Sequence, residues 1–329
     1  MGADASGLLL VHAHPDDEAF GTGGLIARSV AEGRRVDLVT CTGGEEGEIH
    51  DPTLDEEEAK PRLREIRYAE LACALDALRG AGPGTLELHL LGYRDSGMMD
   101  TESNNRPEAF WNADLDEATG RLVEIVRRTR PAVMVSYDSN GNYGHPDHIN
   151  AYRIADAAWS AAADGDRYPA AGPPHAVGKL YEIAFNRDRW MALMNEMKER
   201  GIELPWGQDE EEAAEGAAEE VAGDDATRLN PSNVEAVRDA ADAVEAGEEP
   251  SEEWGLPADK ISTELDVAAF ADQKRACMDC HKTQRQDMGW LLDLPEDLQA
   301  RAISPEYYVL RKWRDREVPD SYRETSVFD

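Results

Sequence analysis

Basic residues are scarce in this 329-residue chain: 34 Lys and Arg face 68 Asp and Glu, a formal net charge of −34. Nucleic acid and anionic membrane surfaces are excluded as partners, because both are bound through clustered Lys and Arg. Long apolar runs are also missing, with nothing near the roughly 18 residues of a membrane span. The N-terminus lacks a basic stretch followed by an apolar core and cleavage site, so the expected location is cytoplasmic. Four cysteines are too few and too scattered for a disulfide scaffold, and Cys41 and Cys73 read as small core residues. Cys277-Met278-Asp279-Cys280-His281 has the spacing of covalent haem attachment and of redox pairs. Haem attachment needs an export route that the sequence does not offer.

What is present is a globular composition, 41% hydrophobic, in an alternating order of strands and helices. Strands are expected at Leu8 to His12, Arg35 to Thr42, Leu86 to Leu91, Ala132 to Tyr137 and Lys179 to Asn186. Helices are expected at Gly24 to Glu32, Asp55 to Leu78, Ala113 to Thr129, Ile149 to Ala163 and Arg187 to Arg200. On the third of these, Leu115, Leu122, Ile125 and Val126 should face inward. This alternation predicts an α/β fold: a Rossmann-like, mostly parallel sheet with helices on both faces and a C-terminal region covering the substrate. We divide the chain into a core over 1–200, an acidic insertion over 208–254 that is partly disordered or helical, and a C-terminal part over 255–329 that completes the fold and pocket. Order is expected to return at Ile261 to Leu265, and a helix from Val267 to about Gln286 carries the two cysteines and His281.

Two short motifs carry the chemistry. His14-Pro15-Asp16-Asp17-Glu18 follows the first strand, and His145-Pro146-Asp147-His148 lies just beyond the fourth. In an open parallel sheet the carboxyl ends of neighbouring strands share one crevice. Catalytic zinc usually takes three protein ligands and keeps one position open, which His14, Asp17 and His148 would satisfy. Asp16 beside them is placed as general base, since zinc brings its water to a pKa near about 7 where a carboxylate can finish the deprotonation. His145 is the candidate for protonating a leaving amine or stabilising an oxyanion, and Asp147 the candidate for orienting it. A single H-P-D triplet is readily a helix cap; two after apolar strands are harder to dismiss.

These paired motifs resemble the signatures of the zinc-dependent LmbE-like, or N-acetylglucosaminyl-phosphatidylinositol deacetylase, superfamily. Thr42 to Glu48, Tyr93 to Met98 and Tyr137 to Gly144 resemble its mycothiol branch. The resemblance implies one Zn2+ per chain on His14, Asp17 and His148, with Fe2+ as the alternative, and Asp16 as base. It further implies that Tyr143 and His145 act on the tetrahedral intermediate, and that Arg67 and Asp95 contact sugar or inositol hydroxyls. Glu46 and His281 join them as substrate-binding candidates. Competing assignments stay open: Arg67 pairing with Glu65 or Glu70, Tyr143 as packing, Glu46 and Glu48 as solvated loop acids.

The expected partner is a small amino-sugar substrate, with homo-oligomerisation left open. Gly43-Gly44-Glu45 followed by Ile49 and Pro52, the Pro-rich loop before Lys179, and His281 to Gln284 lean toward a mycothiol S-conjugate amidase. The alternatives are an N-acetylglucosaminyl-inositol deacetylase and a deacetylase of another amino sugar. Outside enzymes, a sugar-binding module with a silent metal pocket and a redox or haem protein built on Cys277 and Cys280 are the rival classes.

Overall fold

Leu8, Leu9, Leu10 and Val11 are fully buried, and this uninterrupted apolar run forms the central strand of the sheet, β1 (Leu8–His12). A strand covered on both faces has no polar side to alternate with. The computed structural model describes residues 7–202, 255–285 and 289–329. Around β1 lie β2 (Arg35–Thr42), β3 (Thr85–Tyr93), β4 (Val133–Ser136), β5 (Lys179–Ala184), β6 (Thr263–Asp266) and β7 (Pro305–Trp313). The spatial order is β3-β2-β1-β4-β5-β7-β6. The first five strands run parallel, with Leu8 opposite Val36 on one side and Val133 on the other. β7 pairs antiparallel to both β5 and β6.

Among the described residues the helices are α1 (Asp17–Ala31), α2 (Glu56–Ala59), α3 (Leu63–Arg79), α4 (Leu115–Thr129), α5 (Pro146–Ala161), α6 (Arg187–Glu199), α7 (Ala271–Cys280) and α8 (Glu296–Ile303). Since β1 is followed by β2 on one side and β4 on the other, the crevice between the ends of β1 and β4 is the topological switch point. Both His-Pro-Asp motifs emerge there.

Several expectations need correcting. α1 starts at Asp17 rather than Gly24, and its glycines are packing positions: a Cβ on Gly24 would lie 2.4 Å from Val267 Cγ2. The long helix expected at Asp55 to Leu78 is split by a 3-10 turn at Lys60–Arg62, where Pro61 cannot donate a backbone hydrogen bond. Leu115, expected inward, is 37% exposed because it begins α4 directly after its Asp114 cap. β7 escaped notice because its inward positions Glu306, Tyr308 and Leu310 include a charge. That charge is matched: Glu306 accepts hydrogen bonds from the backbone N–H groups of Gly24 and Leu25 and from Lys274 Nζ. The acidic insertion at 208–254 lies outside the described residues.

Cys73 is not a core residue. It lies on the exposed side of α3 and forms a disulfide with Cys280 at the end of α7, across a sequence separation of 207. Cys280 therefore does not pair with Cys277, which is a buried free thiol. Closing so long a loop constrains the unfolded chain, and Cys73→Ser is expected to lower unfolding free energy by about 2–5 kcal/mol. Denaturant midpoints of the two proteins under non-reducing conditions check this; equal midpoints would show that the bridge contributes nothing.

Candidate active site

The turn after β1 begins the site. His14 Nδ1 lies 3.2 Å from His148 Nε2 and 3.5 Å from Asp17 Oδ2, and Asp17 Oδ1 is 3.4 Å from His148 Nε2. Three donors at about 2.0–2.2 Å from a tetrahedral centre would stand about 3.4 Å apart, so this trio fits one divalent ion. The donor types also fit, two imidazoles and one carboxylate, and all three side chains are at most 14% exposed. Buried polar groups this crowded need a shared proton or a cation to be stable.

Neighbouring groups fix how each donor faces. His14 Nε2 is 3.2 Å from Asp147 Oδ2, which leaves Nδ1 for the trio. Asp147 in turn accepts hydrogen bonds from the Ser96 backbone N–H and hydroxyl. This corrects the expectation that the Asp147 carboxylate orients His145. Asp147 sits in the first turn of α5 and reaches back toward β1, while its backbone N–H donates to His145 Nδ1 at 3.1 Å. With Nδ1 accepting, the proton of a neutral His145 ring sits on Nε2. Burial, reinforced by His14 and His148, holds His145 well below the usual histidine range, so the ring is neutral. Tyr143 closes this side, its hydroxyl 3.3 Å from His148 Nε2.

Asp16 stands beside the trio with its side chain 26% exposed. Burial is the largest influence on its carboxyl and raises it to about 6, with Arg67 pulling down and Asp17 pushing up. Asp17, by contrast, is held well below the carboxylate range, because His148 and His14 outweigh its burial. The two adjacent aspartates are thus driven apart, the arrangement that separates an acid–base group from a permanent anion.

The four substrate-binding candidates behave differently. Arg67 is only 3% exposed and donates to Pro15 O, Gly44 O and Asp16 Oδ2, so its first role is to clamp the Asp16 turn. It pairs with neither Glu65 nor Glu70; Glu70 accepts from Thr283. Asp95 lies 3.7 Å from His14 Nε2 and accepts from the backbone N–H groups of Glu46 and Gly97, which ties two loops to the site. Glu46 lines the cleft and is half-buried, its carboxylate accepting from Arg94 and Arg106. His281 reaches the cleft wall, but its Nε2 is 2.6 Å from Glu18 Oε1.

Sequence reasoning missed four contributors. Tyr137 stacks on His148 with ring centroids 4.2 Å apart and accepts the Ala13 N–H. His12 Nδ1 lies 3.2 Å from the Tyr137 hydroxyl. Ser96 holds Asp147. Glu18 was visible as the end of the first motif, yet nothing in the sequence showed that it would be fully buried. Met278, Gln284 and Gly289 bring the C-terminal part to the same cleft.

Comparison with known proteins adds three findings. Residues 9–159 match the family described as PIG-L, GlcNAc-PI de-N-acetylase. Over 311 residues, 93% of this chain and 83% of the relative, the chain is 40% identical to 1D-myo-inositol 2-acetamido-2-deoxy-alpha-D-glucopyranoside deacetylase 1 of Catenulispora acidiphila. A deacetylase so named from Streptomyces avermitilis is 39% identical over 336 residues, covering 98% of this chain and 96% of that protein. Among solved structures, the 4-carboxy-2-hydroxymuconate hydratase GalB of Pseudomonas putida gives a TM-score of 0.56 at 18% identity, covering 95% of this chain and 99% of that one. The conserved protein TT1542 of Thermus thermophilus gives 0.50 at 21%, with 92% and 93% covered. Those two likenesses concern the fold, and a hydratase on the same scaffold shows why the reaction must be argued from the site.

Proposed function

The chain belongs to the PIG-L family of GlcNAc-PI de-N-acetylases and is a hydrolase of N-acetyl amide bonds, and from that premise we propose that it removes acetate from an N-acetylglucosaminyl-inositol. The observation that carries the reading is the 3.2–3.5 Å convergence of His14, Asp17 and His148 at the switch point, with Asp16 beside it. The lean toward a conjugate amidase gives way, because relatives matching over nearly the whole chain are named deacetylases. A cytoplasmic metabolic role belongs to the same proposal.

In this reading His14, Asp17 and His148 hold zinc, although such a nitrogen and oxygen set also accepts Fe2+. Bound there, the metal supplies a Lewis acid for the amide carbonyl and lowers the pKa of water. Asp16 takes the proton from the attacking water and delivers it toward the leaving amine. His145, with its Nε2–H facing the cleft, donates to the oxygen on which negative charge develops, and the Tyr143 hydroxyl adds a second donor. Asp147 and Asp95 keep His14 oriented, and Arg67 keeps Asp16 ionised and in place. Glu46, which lines the cleft with its carboxylate paired to Arg94 and Arg106, is the candidate that reaches substrate; Arg67, Asp95 and His281 shape the cleft from behind.

The test supplies zinc-loaded full chain with N-acetylglucosaminyl-inositol and, separately, with a cysteinyl amide of glucosaminyl-inositol carrying a capped thiol. Primary-amine release is expected at least about tenfold faster from the acetyl substrate, a difference of about 1.4 kcal/mol in transition-state binding. Faster release from the cysteinyl amide would restore the amidase reading. Release from neither would overturn the inositol substrate and point to another amino sugar.

A further inference from the structure

Asp16 stands in a backbone conformation that L residues rarely adopt, φ 111° and ψ −31°, immediately before α1. Such a residue persists only where its surroundings over-determine it. Three hydrogen bonds do so. Ala19 N donates to Asp16 O at 2.9 Å, as in any first helical turn. Arg67 Nη2 donates to Pro15 O at 2.6 Å. Asp16 N donates to Glu18 Oε2 at 3.0 Å.

The third bond is the unusual one, because Glu18 is 0% exposed. A carboxylate taken wholly out of water needs a partner. The partner comes from 263 residues away: His281 Nε2, 2.6 Å from the other oxygen of Glu18. The Cys277 thiol points at that same oxygen from 3.8 Å. His281 is the first residue after α7, whose last residue, Cys280, is bridged to α3. Glu18 therefore has one oxygen on the Asp16 backbone and the other on the C-terminal part of the chain, and neither it nor His281 belongs to the His14, Asp17 and His148 trio.

We propose that Glu18 and His281 form a positioning pair that holds the Asp16 turn in its reacting conformation, so that the base is set only when the C-terminal part is docked. This rests on the reading of Asp16 as the base. It explains why the acidic run of the first motif extends to a third residue. It also gives the His of the Cys-x-x-Cys-His segment a role that needs neither haem nor a redox pair.

The test compares Glu18→Ala with Glu18→Gln in the metal-loaded full chain, alongside Asp16→Asn. Gln keeps an acceptor for the Asp16 N–H and a donor for a neutral His281, whereas Ala keeps neither. Glu18→Ala is expected to lose about 100-fold in kcat, the cost typical of a misplaced reacting group, with KM and bound metal within about threefold of wild type. Glu18→Gln is expected to retain kcat within about fivefold, since the bonds that fix the turn survive. A purely structural Glu18 would lower the unfolding midpoint in both variants while the folded fraction kept its kcat, which would overturn the proposal. Metal loss in Glu18→Ala would overturn it too, by moving the role to the ligand trio. Should Glu18→Ala not fold, His281→Gln is read the same way, and the double variant Glu18→Gln/His281→Gln is then expected to lose less than the product of the single losses. Wild-type kcat in Asp16→Asn would remove the base reading itself; a large loss there with unchanged kcat in Glu18→Ala would remove only the pair.

Discussion

Asp16→Asn is expected to lower kcat by about 10²- to 10⁴-fold while metal content and KM stay near wild type, the range typical of losing a positioned general base. The substitution keeps the size and a hydrogen-bond acceptor for Arg67 Nη2, so the turn is not undone. Folding is not expected to suffer. Burial disfavours the charged form of Asp16 and raises its carboxyl to about 6, so a neutral amide there should unfold at or above the wild-type midpoint at pH 8. Lost turnover together with preserved stability is the signature of a group retained for chemistry rather than for the fold.

The pH profile follows with a definite sign. A base works only when ionised, so wild-type kcat/KM should fall as pH drops through about 6. The cation of Arg67 favours the ionised form, and removing it disfavours that form. Arg67→Met is therefore expected to move the acid limb to higher pH and to lower kcat at neutrality, whereas the residual rate of Asp16→Asn should lack that limb. A limb unmoved in Arg67→Met would mean that another group titrates there.

How much of this could be read beforehand depends on the range of the interaction. β1 and β2 have the bounds expected from their sequence, because a strand buried along nearly its whole length is marked by a local run of Leu, Val and other small or β-forming residues. The zinc-ligand candidates could be named for a related reason: His14 and Asp17 share one turn, His148 lies in another, and the switch-point rule brings the two turns together. What stayed illegible was set by packing across the fold. Cys73 and Cys280 meet because α3 and α7 lie side by side, a fact that no local pattern carries. Asp147 was assigned to its sequence neighbour His145 but serves His14, because the first turn of a helix aims its side chains back toward the preceding element. Glu306 on β7 breaks the alternation of its strand, yet it is satisfied by α1 and α7, so the strand exists despite its sequence.

His148→Ala should remove the metal, and its effect should exceed that of any neighbouring group. With His148 gone only His14 Nδ1 and Asp17 remain of the trio, and two donors do not complete a catalytic zinc site. Asp147→Asn provides the calibration. It leaves all three donors in place and weakens the contact that aims His14, so metal affinity should fall by about 10- to 100-fold, the usual cost of losing such a partner. Competition with a chelator of known affinity, measured on wild type and both variants, ranks the three. The expected order is wild type, Asp147→Asn, then His148→Ala with no stoichiometric metal at protein concentrations where wild type is saturated. Stoichiometric metal in His148→Ala would place the ion elsewhere among the described buried donors, with His14, Asp95 and Asp147, or Glu18, Cys277 and His281, the clusters able to hold it. Metal loss in Asp147→Asn as complete as that of a lost ligand would then assign the first of these clusters, and metal retained in both variants the second.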